Sequence, residues 1–471
     1  MDPRPVAWVL ESVGEANLGG EGKGVVRGVS TDSRSTREGD LFVALKGERT
    51  DGHLHVAGAF ARGARAALIS SDLTDLGGFL DRAVIRVPDT RVALGRLAAR
   101  YRKELDVRII AVTGSNGKTT TKDLTARVLE AAGTVVKAAH SYNNDIGLPL
   151  TLLAMDRTTR FGVVELGTNH PGEIARLCRI AAPDVGIVTT VSEAHLEGLG
   201  GLTEIAEEKG ALVEALPAHG LAFLNWDNWL CREMERRASC PVVRCGFDTS
   251  IDLWGLMRKR RPGGIAFHLF GKVEIIVPFP GFHNASNALF AIGVGLHTGI
   301  PILTIQERLA EAVLPDMRMA VSTVGGVTLI NDAYNANPGS VEAAIHELAA
   351  TRATGRRILV LGEMGELGER SAALHREAGR QAGHAGITAV WAIGPHAPDV
   401  ESGLTSVERW NGSFWSSADT AEALSGRPFE PEPGDAVLVK GSRRMKLETV
   451  FDRIREEARR IGGRVTEAVG G

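Results

Sequence analysis

The chain reads as an α/β protein of three domains: a small α/β unit at the N-terminus, a central doubly wound and mostly parallel sheet around a phosphate loop, and a C-terminal Rossmann-like unit. Three observations predict it. At 471 residues the chain exceeds one ordinary domain. From residue 107 onward, short β-branched runs alternate with helix-like segments, the pattern of βαβ units on a parallel sheet. Between one such run, Val107 to Val112, and a helix-like stretch, Thr121 to Ala132, lies Thr113-Gly114-Ser115-Asn116-Gly117-Lys118-Thr119-Thr120. The expected domains are 1–88, 89–314 and 315–471.

Taken in order, the first unit holds a strand at Asp40 to Leu45, a helix from Ala57 to Gly63 and a strand at Ala66 to Ile69, and Pro88 closes it. A helix from Arg91 to Leu105 leads into the central unit. There Phe161 to Glu165 and Val185 to Thr189 read as buried parallel strands, separated by a helix from Gly172 to Ile180. Residues 251 to 279, with the turn Arg261-Pro262-Gly263-Gly264, read as an added antiparallel hairpin. Ala285 to Ile302 reads as a buried helix: it is the most apolar stretch, but Asn287, His297, several glycines and Pro301 exclude a membrane span. The third unit begins near Pro315. It offers strands at Val327 to Ile330, Ile358 to Leu361, Ala389 to Ile393 and Ala436 to Val439, and a helix from Ser340 to Thr351.

Composition is that of a globular protein, with 44% hydrophobic and 24% charged residues. A net charge of −3 gives no general attraction to nucleic acid, so anionic ligands must be met by local sites. Cys178, Cys231, Cys240 and Cys245 form no C-x-x-C pair, which argues against zinc or a redox couple and for free thiols in a reducing compartment. With no targeting segment visible after Met1, the expectation is a cytoplasmic monomer with no membrane insertion.

The glycine-rich segment is a phosphate cradle. Gly114 and Gly117 let backbone N–H groups face an anion, the helix N-terminus adds partial positive charge, and Lys118 adds a full one. Thr119 offers a hydroxyl to Mg²⁺. The loop departs from G-x-x-x-x-G-K-[ST] because Val112 stands where the first glycine belongs and Gly114 comes two residues late. Other candidates sit at strand ends, where open α/β sheets bind ligands. Glu165 is placed for a metal, and His195, in Thr189-Thr190-Val191-Ser192-Glu193-Ala194-His195, for a metal or a polar contact. Lys209, in a charged helix, reads by itself as a surface lysine. Asn143-Asn144 reads as a polar loop or an amide-lined site, and Asn284 and Asn287 as helix caps or base contacts.

Together these residues resemble the Mur ligase family of peptidoglycan synthesis. The resemblance runs from about residue 29 to about residue 455. It includes Asp32-Ser33-Arg34, Asp51-Gly52-His53, the Gly-Ser-Asn-Gly-Lys-Thr loop, Asn143-Asn144, Glu165-x-Gly167, Gly172-Glu173-Ile174, Ala194-His195, Lys209, His283-Asn284-x-x-Asn287, Arg318 and Lys440-Gly441-Ser442. Asp332-x-Tyr334-Asn335-Ala336-Asn337-Pro338 and Gly362-Glu363-Met364-x-Glu366-Leu367-Gly368 resemble the last-acting branch, which joins D-alanyl-D-alanine to a UDP-N-acetylmuramoyl-tripeptide. A branch adding a single third amino acid is the alternative. A phosphate-loop regulator without ligase activity is more distant.

The resemblance implies an ATP-dependent, ADP-forming peptide ligase working through an acyl phosphate. It implies ATP on Gly114, Ser115, Asn116, Gly117, Lys118, Thr119 and Thr120, with adenine near Asn284 and Asn287, and Arg318 and Asp332 reaching phosphates and ribose. It implies two Mg²⁺ ions, on Thr119 and Glu165 and on His195 and a carbamylated Lys209. Lys118, Lys209, His195 and Arg318 are then catalytic. Asp32, Ser33 and Arg34 would hold uridine, Asn143 and Asn144 the muramoyl-peptide, and Tyr334, Asn335 and Asn337 the acceptor. Two local departures are Ala211, where the family often has an acidic residue, and Gly365, where a larger one is common.

Overall fold

The computed structural model describes residues 1–469 except 15, 20–21, 48–49, 74–81, 140, 262, 314–315 and 427–428. Three large sheets follow one another along the chain, beside a two-stranded antiparallel pairing of Arg4–Pro5 with Val25–Val26. The first is five-stranded, from β1 (Asn17–Gly19), β2 (Gly28–Ser30), β3 (Asp40–Val43), β4 (Ala66–Ile69) and β5 (Ala83–Arg86), in the order β1-β5-β4-β3-β2. Only β1 runs antiparallel to its neighbour. Helix α1 (Thr90–Lys103) follows, capped by the Asp89 carboxylate, which accepts from the amides of Arg91 and Val92.

The central sheet has nine strands: β6 (Arg108–Thr113), β7 (Val135–Lys137), β8 (Phe161–Glu165), β9 (Val185–Val188), β10 (Leu221–Asn225), β11 (Val242–Gly246), β12 (Leu253–Arg261), β13 (Gly264–Leu269) and β14 (Val273–Val277). Their order is β14-β13-β12-β11-β10-β9-β6-β8-β7, parallel from β12 to β7. The expected hairpin at 251–279 is instead a three-stranded meander whose first strand continues the parallel sheet. Pro262 of its turn lies outside the described residues. The buried parallel strands read as continuous apolar runs because both faces are covered by helices. Those helices include α2 (Lys118–Leu129), α3 (Glu173–Ala181), α4 (Leu202–Glu214) and α5 (Phe282–His297).

Two expected helices have different limits. The one after the phosphate loop starts at Lys118 rather than Thr121, because Gly117 in the left-handed region (φ 83°) ends the loop there. The buried helix ends at His297 rather than Ile302: Gly299 (φ 84°) turns the chain, and a separate helix runs Ile302–Ala310 after Pro301.

The last sheet comprises β15 (Ala320–Val324), β16 (Val327–Asp332), β17 (Arg357–Gly362), β18 (Ala389–Ile393), β19 (Ser413–Ser417) and β20 (Ala436–Lys440), ordered β15-β16-β20-β17-β18-β19. All pairs are parallel except the edge pair β15–β16. Helix α6 (Pro338–Ala350) follows β16, with Asn337 accepting from the Ser340 amide in a capping box.

Apolar cores cross between neighbouring units. One joins Val9, Leu41, Leu68 and Ile85 through Leu94 and Tyr101 to Leu148, Val164 and Ile174. Another joins Val188, Leu196 and Leu199 to Met319, Ile330, Met364 and Leu367. The sheet C-terminal ends at β6, β8 and β9 therefore face the first strands of the last sheet across a packed seam. Among the described residues no helix is long and apolar enough to cross a membrane.

Candidate active site at the strand ends

The phosphate loop is fixed by its glycines. Gly114 has φ 145°, and a Cβ built there would overlap Thr189 Oγ1. A Cβ on Gly117 would overlap the Asn287 side-chain amide. A methyl at either position would therefore force apart the loop and the elements behind it. The Ser115 amide donates to Thr190 O at 2.7 Å, and Thr189 Oγ1 donates to Asn116 O at 2.5 Å, so the loop leans on the end of β9. The first turn of α2 leaves N–H groups without intrahelical acceptors, directed at the cavity mouth.

Lys118 is half-buried, and its Nζ donates to Gly114 O at 2.7 Å and Ser115 O at 3.4 Å. Burial pushes its pKa down, with the nearby Glu165 carboxylate opposing that shift. No carboxylate lies within ion-pair distance of it among the described residues. An ammonium whose only partners among the described residues are its own loop carbonyls is poised for an anionic guest.

Glu165, at the end of β8, is buried and fully engaged. Thr119 Oγ1 donates to Oε2 at 2.8 Å and Asn143 Nδ2 to Oε1 at 2.9 Å. Arg318 from the last unit reaches across, with Nη2 donating to Thr119 Oγ1 at 3.0 Å and Ser141 Oγ at 3.3 Å. Its guanidinium lies 4.1 Å from the Tyr334 ring centre, and Tyr334 OH donates to Ser141 Oγ at 2.7 Å. Asn116 and Asn337 exchange side-chain amide bonds at 3.1 and 2.9 Å, tying the phosphate loop to the cap of α6. His195 Nδ1 meets the Glu366 carboxylate, and Arg370 pairs with Glu193. The structure is thus a closed arrangement of the two units.

These contacts enclose a cavity of about 770 Å³, lined by the loop, Glu165, His195, Asn284, Asn287, Arg318, Asp332, Tyr334, Asn335 and Asn337 among others. Asn287 accepts from Thr121 Oγ1 at 3.2 Å and donates to Asn284 at 3.1 Å, so the two amides form one buried strip beside the loop. The Asp332 carboxylate accepts from Lys440 Nζ at 2.6 Å and the Met319 amide at 3.1 Å. The Lys440 ammonium is almost wholly buried in this pair. Lys440→Met would leave Asp332 charged and unpaired, and the expected loss is about 3–5 kcal/mol, read as a lower urea midpoint by tryptophan fluorescence.

A second groove, about 990 Å³, runs between α1 and α3 past Arg91, Asn144, Asp145 and Arg176. The cavity and the groove share three residues, Lys118, Asn143 and His195.

The remaining candidates lie apart. Lys209 is buried on α4 and lines neither space; it makes no hydrogen bond or ion pair among the described residues. Desolvation, then the Lys118 charge, push its pKa down to about 7. Asn144 lines the groove, but its side-chain oxygen is spent on the amides of Ile146 and Gly147. Asp32 and Arg34 form an exposed ion pair after β2, which holds the Asp32 carboxyl down to about 2, and with Ser33 they border neither space. Sequence reasoning assigns no role to Ser141, Ser192, Glu208 or Lys440. Glu208 accepts from the amides of Gly172 and Ile174, both at 2.7 Å, and fixes the start of α3. Only Lys440, in Lys440-Gly441-Ser442, carries a visible motif.

Comparison with known proteins follows this geometry. Residues 25–102 match the Mur ligase family catalytic domain, 112–295 the Mur ligase middle domain, and 317–443 the Mur ligase glutamate ligase domain. The UDP-N-acetylmuramoyl-tripeptide–D-alanyl-D-alanine ligase of Escherichia coli K12 is 36% identical over 91% of this chain and 93% of its own. The chain belongs to the Mur ligase family. The Bacillus subtilis enzyme of the same name is also 36% identical, over 90% of this chain and 92% of its own. Among solved structures, MurF from Acinetobacter baumannii superposes with a TM-score of 0.84 at 28% identity, covering 96% of this chain and 99% of that one. MurF from Thermotoga maritima in complex with ADP gives 0.79 at 27%, covering 92% and 98%. The three-unit Mur ligase fold expected from the sequence is thus the fold of the chain. Of the two local departures, Ala211 packs partly buried against the first core. Gly365 has an ordinary φ, and a methyl there would meet its neighbours only at van der Waals distance, so sterics do not require glycine.

Proposed function

We propose that the chain joins D-alanyl-D-alanine to UDP-N-acetylmuramoyl-tripeptide while cleaving ATP to ADP and phosphate. One observation carries this reading: the nucleotide-type cavity and the long groove have Lys118, Asn143 and His195 in common in their linings. A γ-phosphate in the cradle and a carboxylate in the groove meet there. The relatives named above share this activity in name and nearly the whole length of the chain.

The reaction follows from that meeting. A carboxylate oxygen takes the γ-phosphoryl group, ADP leaves, and an acyl phosphate forms. The acceptor amine attacks its carbonyl, loses a proton, and the tetrahedral adduct expels phosphate to leave an amide. No side chain becomes covalently bonded. Lys118 and the first-turn amides of α2 hold the phosphates, Arg318 brings a second cation from the last unit, and closure keeps water from the acyl phosphate. Asn284 and Asn287 fit adenine, Asp332 the ribose side, and Tyr334, Asn335 and Asn337 the acceptor.

The donor set fits Mg²⁺. Thr119 and Glu165 present hard oxygen ligands 2.8 Å apart at the cavity edge. Among the described residues no three His, Cys, Asp or Glu side chains gather as a metal site, so phosphate oxygens and water would complete the shell. His195 with a carbamylated Lys209 would hold a second ion. Burial without a partner and a pKa near 7 support the carbamate, which needs a neutral amine. Bound there, the cations would neutralise phosphate charge between two anions. We assign 1–88 to uridine binding through Asp32, Ser33 and Arg34, 89–314 to ATP, and 315–471 to ligation, in a cytoplasmic monomer.

The test is ADP release with ATP, Mg²⁺ and UDP-N-acetylmuramoyl-tripeptide. Release dependent on D-alanyl-D-alanine supports the reading. Release driven instead by a free amino acid and UDP-N-acetylmuramoyl-dipeptide would replace it with single-residue addition.

A further inference from the structure

The pair formed by His195 and Glu366 joins two strained positions. His195 has φ 56° and Glu366 φ 62°. A left-handed backbone is unfavourable for a residue with a Cβ, and such conformations persist only where surroundings over-determine them.

Here they do. The His195 carbonyl accepts from Gly198 N at 3.2 Å and Leu199 N at 3.0 Å, starting the short helix Leu196–Leu199. The Glu366 carbonyl accepts from Glu197 N at 3.1 Å, so the two loops are joined by backbone as well as by side chain. The Glu366 loop is fastened behind: Met364 N donates to His375 Nε2 at 3.0 Å, Ser442 N to Glu363 O at 2.9 Å, and Arg444 pairs with Glu363. Arg370–Glu193 closes the seam on its far side.

A carboxylate only accepts, so the proton between the two side chains belongs to His195 Nδ1. That leaves the lone pair on Nε2, which has no hydrogen-bond partner among the described residues. His195 borders both the cavity and the groove.

We propose that Glu366 is a positioning residue for His195: it fixes the Nδ1–H form of the imidazole and aims the bare Nε2 at the junction, and it does so only while the last unit is docked. The inference rests on the proposed reading of that junction as the reacting centre. A carboxylate behind an imidazole is the usual way to set ring orientation and basicity where the other nitrogen binds a cation. Here it comes from another unit, so docking and completion of the site become one event.

The test uses the full chain, free of metal and labelled with ¹⁵N, with the His195 signals assigned against H195Q. At pH above the imidazole pKa, wild type and E366Q should show a protonated Nδ1 and a bare Nε2. E366A should revert to the Nε2–H form that free imidazole side chains favour. Should E366A fail to fold, E366D, with a carboxylate too short to reach, takes its place. In the ADP-release assay E366A should lose about 10–100-fold in kcat with little change in KM for ATP, and E366Q should recover most of it. An unchanged His195 form in E366A, or E366Q no better than E366A in either arm, overturns the proposal. Absence of ADP release from wild type would reject the reaction instead, and the nitrogen signals would still decide the pair.

Discussion

Lys118→Ala is expected to lower kcat for ADP release by about 10²–10³-fold while leaving the chain folded. Among the described residues the ammonium holds two carbonyls of its own loop, at 2.7 and 3.4 Å, and no carboxylate. Removing it therefore orphans no partner charge, and the apolar core is untouched. Burial already depresses its pKa, so the free chain gains rather than loses by its deletion. The function of the charge emerges only when phosphate arrives. Circular dichroism should match wild type, the thermal midpoint should equal or exceed it, and the loss should fall on turnover. Retained ADP release would mean that the loop cradles no triphosphate.

Lys209→Met carries the second large effect, in two opposed directions. Without the carbamate Lys209 is a desolvated amine beside Lys118 with no hydrogen-bond or ion-pair partner among the described residues, and protonating it there is unfavourable, so its removal should hold or raise the melting temperature of carbonate-free protein. As a carbamate it is a ligand, so the same change should lower kcat by about 10²-fold, the size of other ligand-support losses. Lys209→Ala, which leaves room for a small guest, should regain activity with a short-chain carboxylate such as acetate. A ¹³C-bicarbonate label should give a carbamate carbon signal that disappears in both variants. Full activity of Lys209→Ala without additive would remove the carbamate from the site.

Local signals made much of this legible. β4, β8 and β18 lie where their apolar runs end, because buried parallel strands carry no competing pattern. The phosphate loop was legible because two glycines, a lysine and a threonine serve one local geometry. Lys209 was not legible from its surroundings: Ile205-Ala206-Glu207-Glu208-Lys209 looks like a solvated face, yet α4 turns Glu208 and Lys209 inward. Periodicity misjudges that helix because its buried face is itself charged, with Glu208 spent on the start of α3. Ser141 and Ser192 lie in unpatterned loops and gain their partners only from the fold, Ser141 from Arg318 and Tyr334 of the last unit and Ser192 from Ser115 and Asn116 of the phosphate loop.

The amide exchange between Asn116 and Asn337 has a pharmacological consequence. It is a joint of two neutral side chains, with no charge to screen, between the nucleotide loop and the last unit. A compound that entered this joint and satisfied both amides itself would prop the enzyme open.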